Sequence, residues 1–164
     1  MVSKKTTKKI IETGCCKPFN PKPWHKKTKV FKNKLFVKAH VTSFFHIPLN
    51  FGSVMKKTMD AIFDAKAQSK IPLMLSDEKS LWGSDLYIAV KKKVPGLENV
   101  RLSGTFLTKV YEGGYKEMGN WIKDMQEYVA SKKKKIKNLY FFYTMCPSCA
   151  KAYGQNYTVL VAKV

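Results

Sequence analysis

Arginine is nearly absent. Arg101 is the single one among 31 basic residues in a chain of 164, and only 11 acids oppose them, which leaves a formal net charge of +20 carried by lysine. Lysines near phosphates release counterions and gain affinity, but specific base and phosphate recognition favours the planar arginine fork. A specific nucleic-acid partner is therefore not expected, whereas weak, salt-sensitive binding to polyanions is. Long apolar runs are missing as well. No stretch of about 18 uncharged apolar residues occurs, which removes a membrane span and with it the expectation of a membrane partner. The basic start from Met1 to Lys9 leads only to Ile10-Ile11 before Glu12, too little for a secretory signal, so a cytoplasmic location is expected. Cysteine is limited to Cys15, Cys16, Cys146 and Cys149, which without an export signal argues for reduced thiols or a metal rather than a disulfide scaffold. No G-x-S-x-G nucleophile turn is present.

What remains is apolar and aromatic enough to build a core, with 45% hydrophobic and 13% aromatic residues. Residues 1–36 read as a basic, proline-rich arm in which Pro18, Pro21 and Pro23 alternate with Phe19 and Trp24. The arm is too rich in proline for a helix or central strand and too aromatic for a free tail. Residues 37–164 read as one α+β domain made of two similar units, about 38–92 and 103–164. Each opens with a strand, Val41 to Ile47 or Thr105 to Tyr111, and continues into an amphipathic helix. Phe51, Val54, Met55, Met59, Ile62 and Phe63 keep a three-and-four rhythm in the first. Tyr115, Met118, Ile122, Met125 and Val129 keep it in the second, flanked by Trp121 and Tyr128. Two strands follow each helix: Ile71–Leu75 and Leu86–Lys91, then Leu139–Thr144 and Tyr157–Val164.

Several strands are apolar on both parities, so both faces of the sheet need cover. Two helices packed on one face leave the other lined by aromatic side chains, and a ligand cleft is expected there, between the halves. A plain two-layer core without a cavity is the competing expectation.

The segment Val110-Tyr111-Glu112-Gly113-Gly114-Tyr115, running into a helix that bears Trp121, resembles the turn of the gyrase-inhibitor-like (GyrI-like) small-molecule-binding family. The resemblance implies a duplicated strand-helix-strand-strand fold, shared with effector domains of multidrug-responsive regulators and more distantly with SOUL haem-binding proteins. It also implies a cleft at the pseudo-twofold axis for flat hydrophobic or cationic molecules. Some stand-alone members are hydrolases that open strained electrophilic rings with acidic and aromatic residues. No helix-turn-helix precedes the domain here, so a regulator is not expected.

Glu112 is the first candidate for catalysis, as base or electrostatic anchor, with Tyr111 beside it and two glycines that permit close backbone approach. The other reading of Glu112 is a carboxylate favoured by the helix dipole. Trp82, Trp121, Tyr115, Tyr143 and Phe45 are candidate ligand walls. His46, and His40 at the strand start, are candidate cleft residues for proton transfer, or simply packed histidines. The linker from Leu75 to Asp85 gathers Asp77, Glu78, Asp85 and Trp82, and Asp77 with Glu78 would orient a water there.

Cys146-Pro147-Ser148-Cys149 has the spacing for two thiolate ligands to zinc, which Cys15 and Cys16 would complete if the arm docks. Its expected position between strands speaks against a redox pair, which is usual at a helix start. The functional expectation is a binder of hydrophobic or cationic small molecules, with hydrolysis by a carboxylate-oriented water open. The alternatives are a zinc-stabilised interaction protein and a weak polyanion binder.

Overall fold

Two unusually long strands organise the chain. β1 (Lys27–Phe44) and β5 (Glu98–Glu112) pair antiparallel with each other from Lys27–Thr108 to Lys38–Glu98. A computed structural model describes residues 19–45, 47–144 and 147–164, with the side chains of Pro147 and Ser148 left out. After β1 come β2 (Ile47–Pro48), α1 (Phe51–Asp64), β3 (Met74–Ser80) and β4 (Gly83–Ala89). After β5 a single 3-10 turn, Tyr115–Glu117, leads into α2 (Met118–Ser131), then β6 (Asn138–Tyr143), α3 (Pro147–Tyr153) and β7 (Tyr157–Lys163).

The strands pair in the order β2-β1-β4-β3-β6-β7-β5, and the β1–β5 ladder joins the ends. Six strands thus close a barrel inside a mixed α/β protein, and the short β2 hangs on its edge. Each half supplies a strand, a helix and two strands.

Closure needs β1 to bend, and the sequence provides a bulge. The β1–β5 register slips between Phe31 and Lys34, where Asn33 sits at φ 51°. Its N–H donates to Ser103 Oγ (2.8 Å), Ser103 Oγ donates to Asn33 Oδ1 (3.1 Å), and Arg101 Nη1 donates to the Asn33 carbonyl (2.8 Å). Asparagine tolerates the left-handed conformation, and a bulge sharpens local twist. Across the ladder, opposite Phe31, Gly104 adopts φ +135°, a conformation side chains rarely take.

Side-chain parity sorts the core into three layers. Phe36, Leu75, Ala89, Phe106, Val110, Tyr140, Val159 and Val161 point inward and fill the barrel. Phe31 packs on Phe106 at 4.7 Å between ring centroids. The residues between them point outward and meet the helices: Leu35, Val37 and Ile88 lie under Met55, Met59 and Ile62 of α1. Leu107, Phe141 and Leu160 lie under Met118, Trp121, Met125 and Val129 of α2. Of the stripes read from the sequence, Met55, Met59 and Ile62 of α1 and Met118, Ile122, Met125 and Val129 of α2 pack, whereas Phe51, Phe63 and Tyr115 are exposed.

The structure revises four expectations. The sheet face opposite the helices closes on itself and is packed with rings, so no cleft lies there. β1 begins at Lys27, four residues after the last proline of the arm, Pro23, and residues 27–36 are strand. The linker expected over residues 75–85 shrinks to Leu81-Trp82, because β3 and β4 run almost to the tip. The Cys-Pro-Ser-Cys segment runs into α3, which starts at Pro147, rather than into a bare connection between strands.

Phe19 and Trp24 of the arm pack against the barrel layer: Trp24 meets Phe142 at 5.5 Å, and Phe19 meets Phe142 and Tyr157 at 6.0 and 5.9 Å. The buried Thr108 hydroxyl donates to the Trp24 carbonyl, and the Val110 N–H donates to His25 Nδ1 (3.3 Å).

α2 is tied to β5 by one ionic contact. Asp124 accepts from Lys109 Nζ and from the Tyr111 hydroxyl (2.6 Å). Those bonds hold the Asp124 carboxyl below its ordinary pKa, the lysine contributing most. A depressed carboxylate pKa means stability that is present above the unfolded value, near 4, and is lost as pH falls through the folded value. Asp124 is nearly half exposed, so the contribution should be about 1 kcal/mol or less. Urea unfolding should show the wild type losing that margin over Asp124→Asn between pH 6 and the acid range, roughly below pH 4. Equal pH dependence in the two proteins would discard this account.

Candidate functional site

The same parity that packs the helices leaves a hollow where the outward faces of both halves meet, between α1 and α2. It has a volume of about 790 Å³. Val41 and Ser43 of β1, Ser84 and Leu86 of β4, and Met74, Ser76 and Glu78 of β3 make part of its floor. Tyr143 of β6 and Thr158 of β7 continue it. Phe51 and Met55 wall it on the α1 side, and Tyr115, Met118 and Trp121 on the α2 side. The lining is mostly apolar with a few convergent polar groups, the usual make-up of a small-molecule site.

Glu78 is the carboxylate of this lining. It sits two residues along β3 from Ser76, so both point outward into the hollow. The Tyr143 hydroxyl donates to Glu78 Oε1 (2.9 Å), and the buried Ser76 hydroxyl donates to the same oxygen (3.0 Å). Both bonds fall on Oε1, which leaves the acceptor capacity of Oε2 unused among the described residues. Burial pushes the Tyr143 hydroxyl far above its ordinary pKa, and the neighbouring Glu78 charge pushes it the same way. Tyr115 is raised too, by desolvation first and by Glu78 second. Both phenols therefore stay protonated, as hydrogen-bond donors, across the physiological range.

The Gly113-Gly114 turn shapes the α2 side. Gly113 adopts φ +138°, and a Cβ there would lie 3.4 Å from the Trp121 ring. Its N–H donates to the Asn156 carbonyl (3.0 Å) and its carbonyl accepts from Asn156 Nδ2 (2.8 Å). This pair clamps the turn to the loop before β7. Glycine here lets the backbone pass close over an indole that itself faces the hollow.

Among the residues singled out from sequence, Glu78, Tyr115, Trp121 and Tyr143 come together in the lining. Phe45 and Trp82 lie outside it, ring to ring at 5.3 Å on the surface. Glu112 is exposed at the end of β5, on the inward parity shared with Val110, and is not part of the lining. Tyr111 stacks on Trp121 (5.6 Å) and spends its hydroxyl on Asp124, outside the hollow. Asp77 has the barrel parity, held by Asn138 Nδ2 (3.3 Å) and Lys79 (3.8 Å). His40 bonds Asp85 (2.9 Å) at the surface.

His46, Cys15, Cys16 and Cys146 lie outside the described residues, and Cys149 is buried in α3. Among the described residues no cluster of three or more His, Cys, Asp or Glu is placed to hold a metal. The residues that sequence reading passed over are Ser76, Met55, Met118 and Phe51. The signal for Ser76 was its alternation with Glu78 in a strand taken for a linker.

A closed antiparallel barrel carrying an outer, helix-walled hollow with a tyrosine-bonded carboxylate defines a mixed α/β protein. The sequence matches the bacterial hydrolase family over residues 6–164, and the chain belongs to that family. Its fold is similar to that of an uncharacterized conserved protein from Listeria innocua, with a TM-score of 0.60 and 10% identity over 84% of this chain and 92% of that one. It is similar as well to two hydrolases from Listeria innocua. One has a TM-score of 0.57 at 10% identity, the other 0.54 at 9%, each over 85% of this chain and 92% of theirs. No curated protein matches the chain in sequence. Among the described residues no helix is long and apolar enough to cross a membrane.

Proposed function

We propose that the chain is a hydrolase for a hydrophobic, electrophilic small molecule held in the hollow between α1 and α2. Glu78 is the base in this reading, in place of Glu112. The observation that carries it is one carboxylate, bonded by Tyr143 and Ser76, in an otherwise mostly apolar lining. Membership of the bacterial hydrolase family and the resemblance to GyrI-like ring-opening enzymes support the reaction class.

Glu78 Oε2 accepts a proton from a water as its oxygen bonds to the electrophilic carbon. A carbon–heteroatom or strained ring bond breaks, and its electron pair goes to the leaving atom. Tyr115, whose hydroxyl is not spent on Glu78, donates to the charge that develops there. Trp121 and Phe51 lie against the body of the substrate, and a cationic substrate gains further from the Glu78 charge.

A panel of aryl esters and strained-ring electrophiles, followed by mass detection and tryptophan quenching, tests this. Turnover of at least one class is expected, and Tyr115→Phe should reduce kcat by about 10²-fold, as loss of one oxyanion donor does. Quenching without product in the whole panel would leave a binding module for lipophilic cations, the second reading that a lone carboxylate favours.

A further inference from the structure

Next to the mouth of the hollow the surface is apolar. Phe44, Phe45, Ile47, Leu49, Leu81 and Trp82 are each between 42% and 66% exposed, too far out of the core to serve as packing. They form one patch. The Phe44 and Phe45 rings lie 4.8 Å apart, and the Trp82 ring is 5.7 and 5.3 Å from them. β2 folds back on Ser43 and Phe44, and the Ser43 N–H donates to the Trp82 carbonyl (2.8 Å), so the two loops that carry the patch are bonded together. Phe45 is held at φ 47°, a left-handed conformation that bulky residues avoid and that persists where surrounding structure enforces it. Its ring is thereby displayed rather than buried.

The patch sits on a strongly basic chain. No acid occurs from Val41 to Met59, the segment that carries most of the patch, and the whole chain has a net charge of +20; Lys56 and Lys79 are each paired with an acid, Asp60 and Asp77. The acids of the adjoining hairpin are engaged: Asp77 with Lys79, Asp85 with Lys38 and His40, Glu78 inside the hollow. Protruding rings and aliphatic groups on an acid-free segment of so basic a chain match an anionic lipid surface. A second copy would bring the same excess of positive charge and be repelled.

We propose that this patch docks the protein on anionic bilayers, with the rings of Phe44, Phe45 and Trp82 inserted at the level of the headgroups. The lack of a membrane span bears on crossing a bilayer, not on resting upon one. Ile47 belongs both to the patch and to the wall of the hollow. A hydrophobic molecule dissolved in the lipid therefore reaches the hollow without passing through water. The docking itself stands apart from the hydrolase reading.

Flotation of the full chain with vesicles of phosphatidylcholine, alone or mixed with phosphatidylglycerol, is the test, together with tryptophan emission and sedimentation velocity. Binding to the mixed vesicles and a blue shift from Trp82 are expected. The double variant Phe44→Ser/Phe45→Asn should bind at least about tenfold more weakly. Both sites are exposed and asparagine accepts the φ at position 45, so its melting temperature should stay near that of the wild type. Equal flotation of the two proteins, or flotation without an emission shift and abolished by salt, overturns the proposal. So does a wild-type dimer that the double variant dissolves. Glu78→Gln should float as the wild type does, so a failed base assignment and a failed docking surface give different results.

Discussion

Glu78→Gln should lower kcat by about 10²- to 10⁴-fold, the range that a positioned general base contributes, with little change in KM for an uncharged substrate. Glutamine keeps the length and shape of glutamate, and its carbonyl oxygen still accepts from Tyr143 and Ser76. The variant therefore removes charge and basicity while leaving the wall in place. Retained melting temperature would show as much, since the group lies in an open hollow rather than in the packed core. A cationic ligand should behave differently from a neutral one, losing affinity as well as rate, because the carboxylate is its counter-charge.

One optical readout accompanies the kinetic one. Tyr143 is held far above its ordinary pKa by burial, with the Glu78 charge adding to it. Taking the charge away leaves the burial and the neighbouring Tyr115, so phenolate absorbance should appear at a lower pH in the variant. Undiminished turnover in Glu78→Gln would withdraw the base, and an unmoved tyrosine titration would mean that the two groups do not face each other.

Much of this arrangement was legible in the chain, and what was missed has identifiable physical causes. The helices came through because their apolar spacing is strong: Met118, Met125 and Val129 recur at the intervals that a buried stripe requires, and all three are buried. β6 and β7 came through because long apolar runs between polar ends have few other uses. β1 was cut short because Pro18, Pro21 and Pro23 made the whole segment before it look irregular. The extra residue at the Asn33 bulge then broke the alternation that would have extended the strand.

The carboxylate was harder to read. Glu112 stands beside Tyr111 in sequence while Glu78 lies between Asp77 and Lys79, and one residue of strand parity separates a side chain facing the hollow from one facing the barrel. Parity could be assigned for Glu78 only once residues 75–80 were known to be strand. Composition argued instead for a turn, since Ser76, Asp77, Ser80, Gly83 and Ser84 are all turn formers. The ladder to β4 overrides that local preference.

The face of the sheet that holds the ligand is the second large prediction, because barrel and hollow respond oppositely to truncation. Phe106→Ala should cost about 3–5 kcal/mol, the usual penalty for emptying a fully buried aromatic site. Phe106 is 0% exposed and touches Phe31 and Tyr140 inside the closed barrel, which has no freedom to collapse around the gap. Met55→Ala should cost about 1 kcal/mol or less: Met55 is half buried and already borders open space, so no new cavity is made. It should instead widen the hollow and shift which substrates bind. Urea midpoints at constant m-value separate the two. A mild Phe106→Ala together with a severe Met55→Ala would invert the assignment of filled and open faces, since a side chain cannot both complete a packed layer and leave space for a guest.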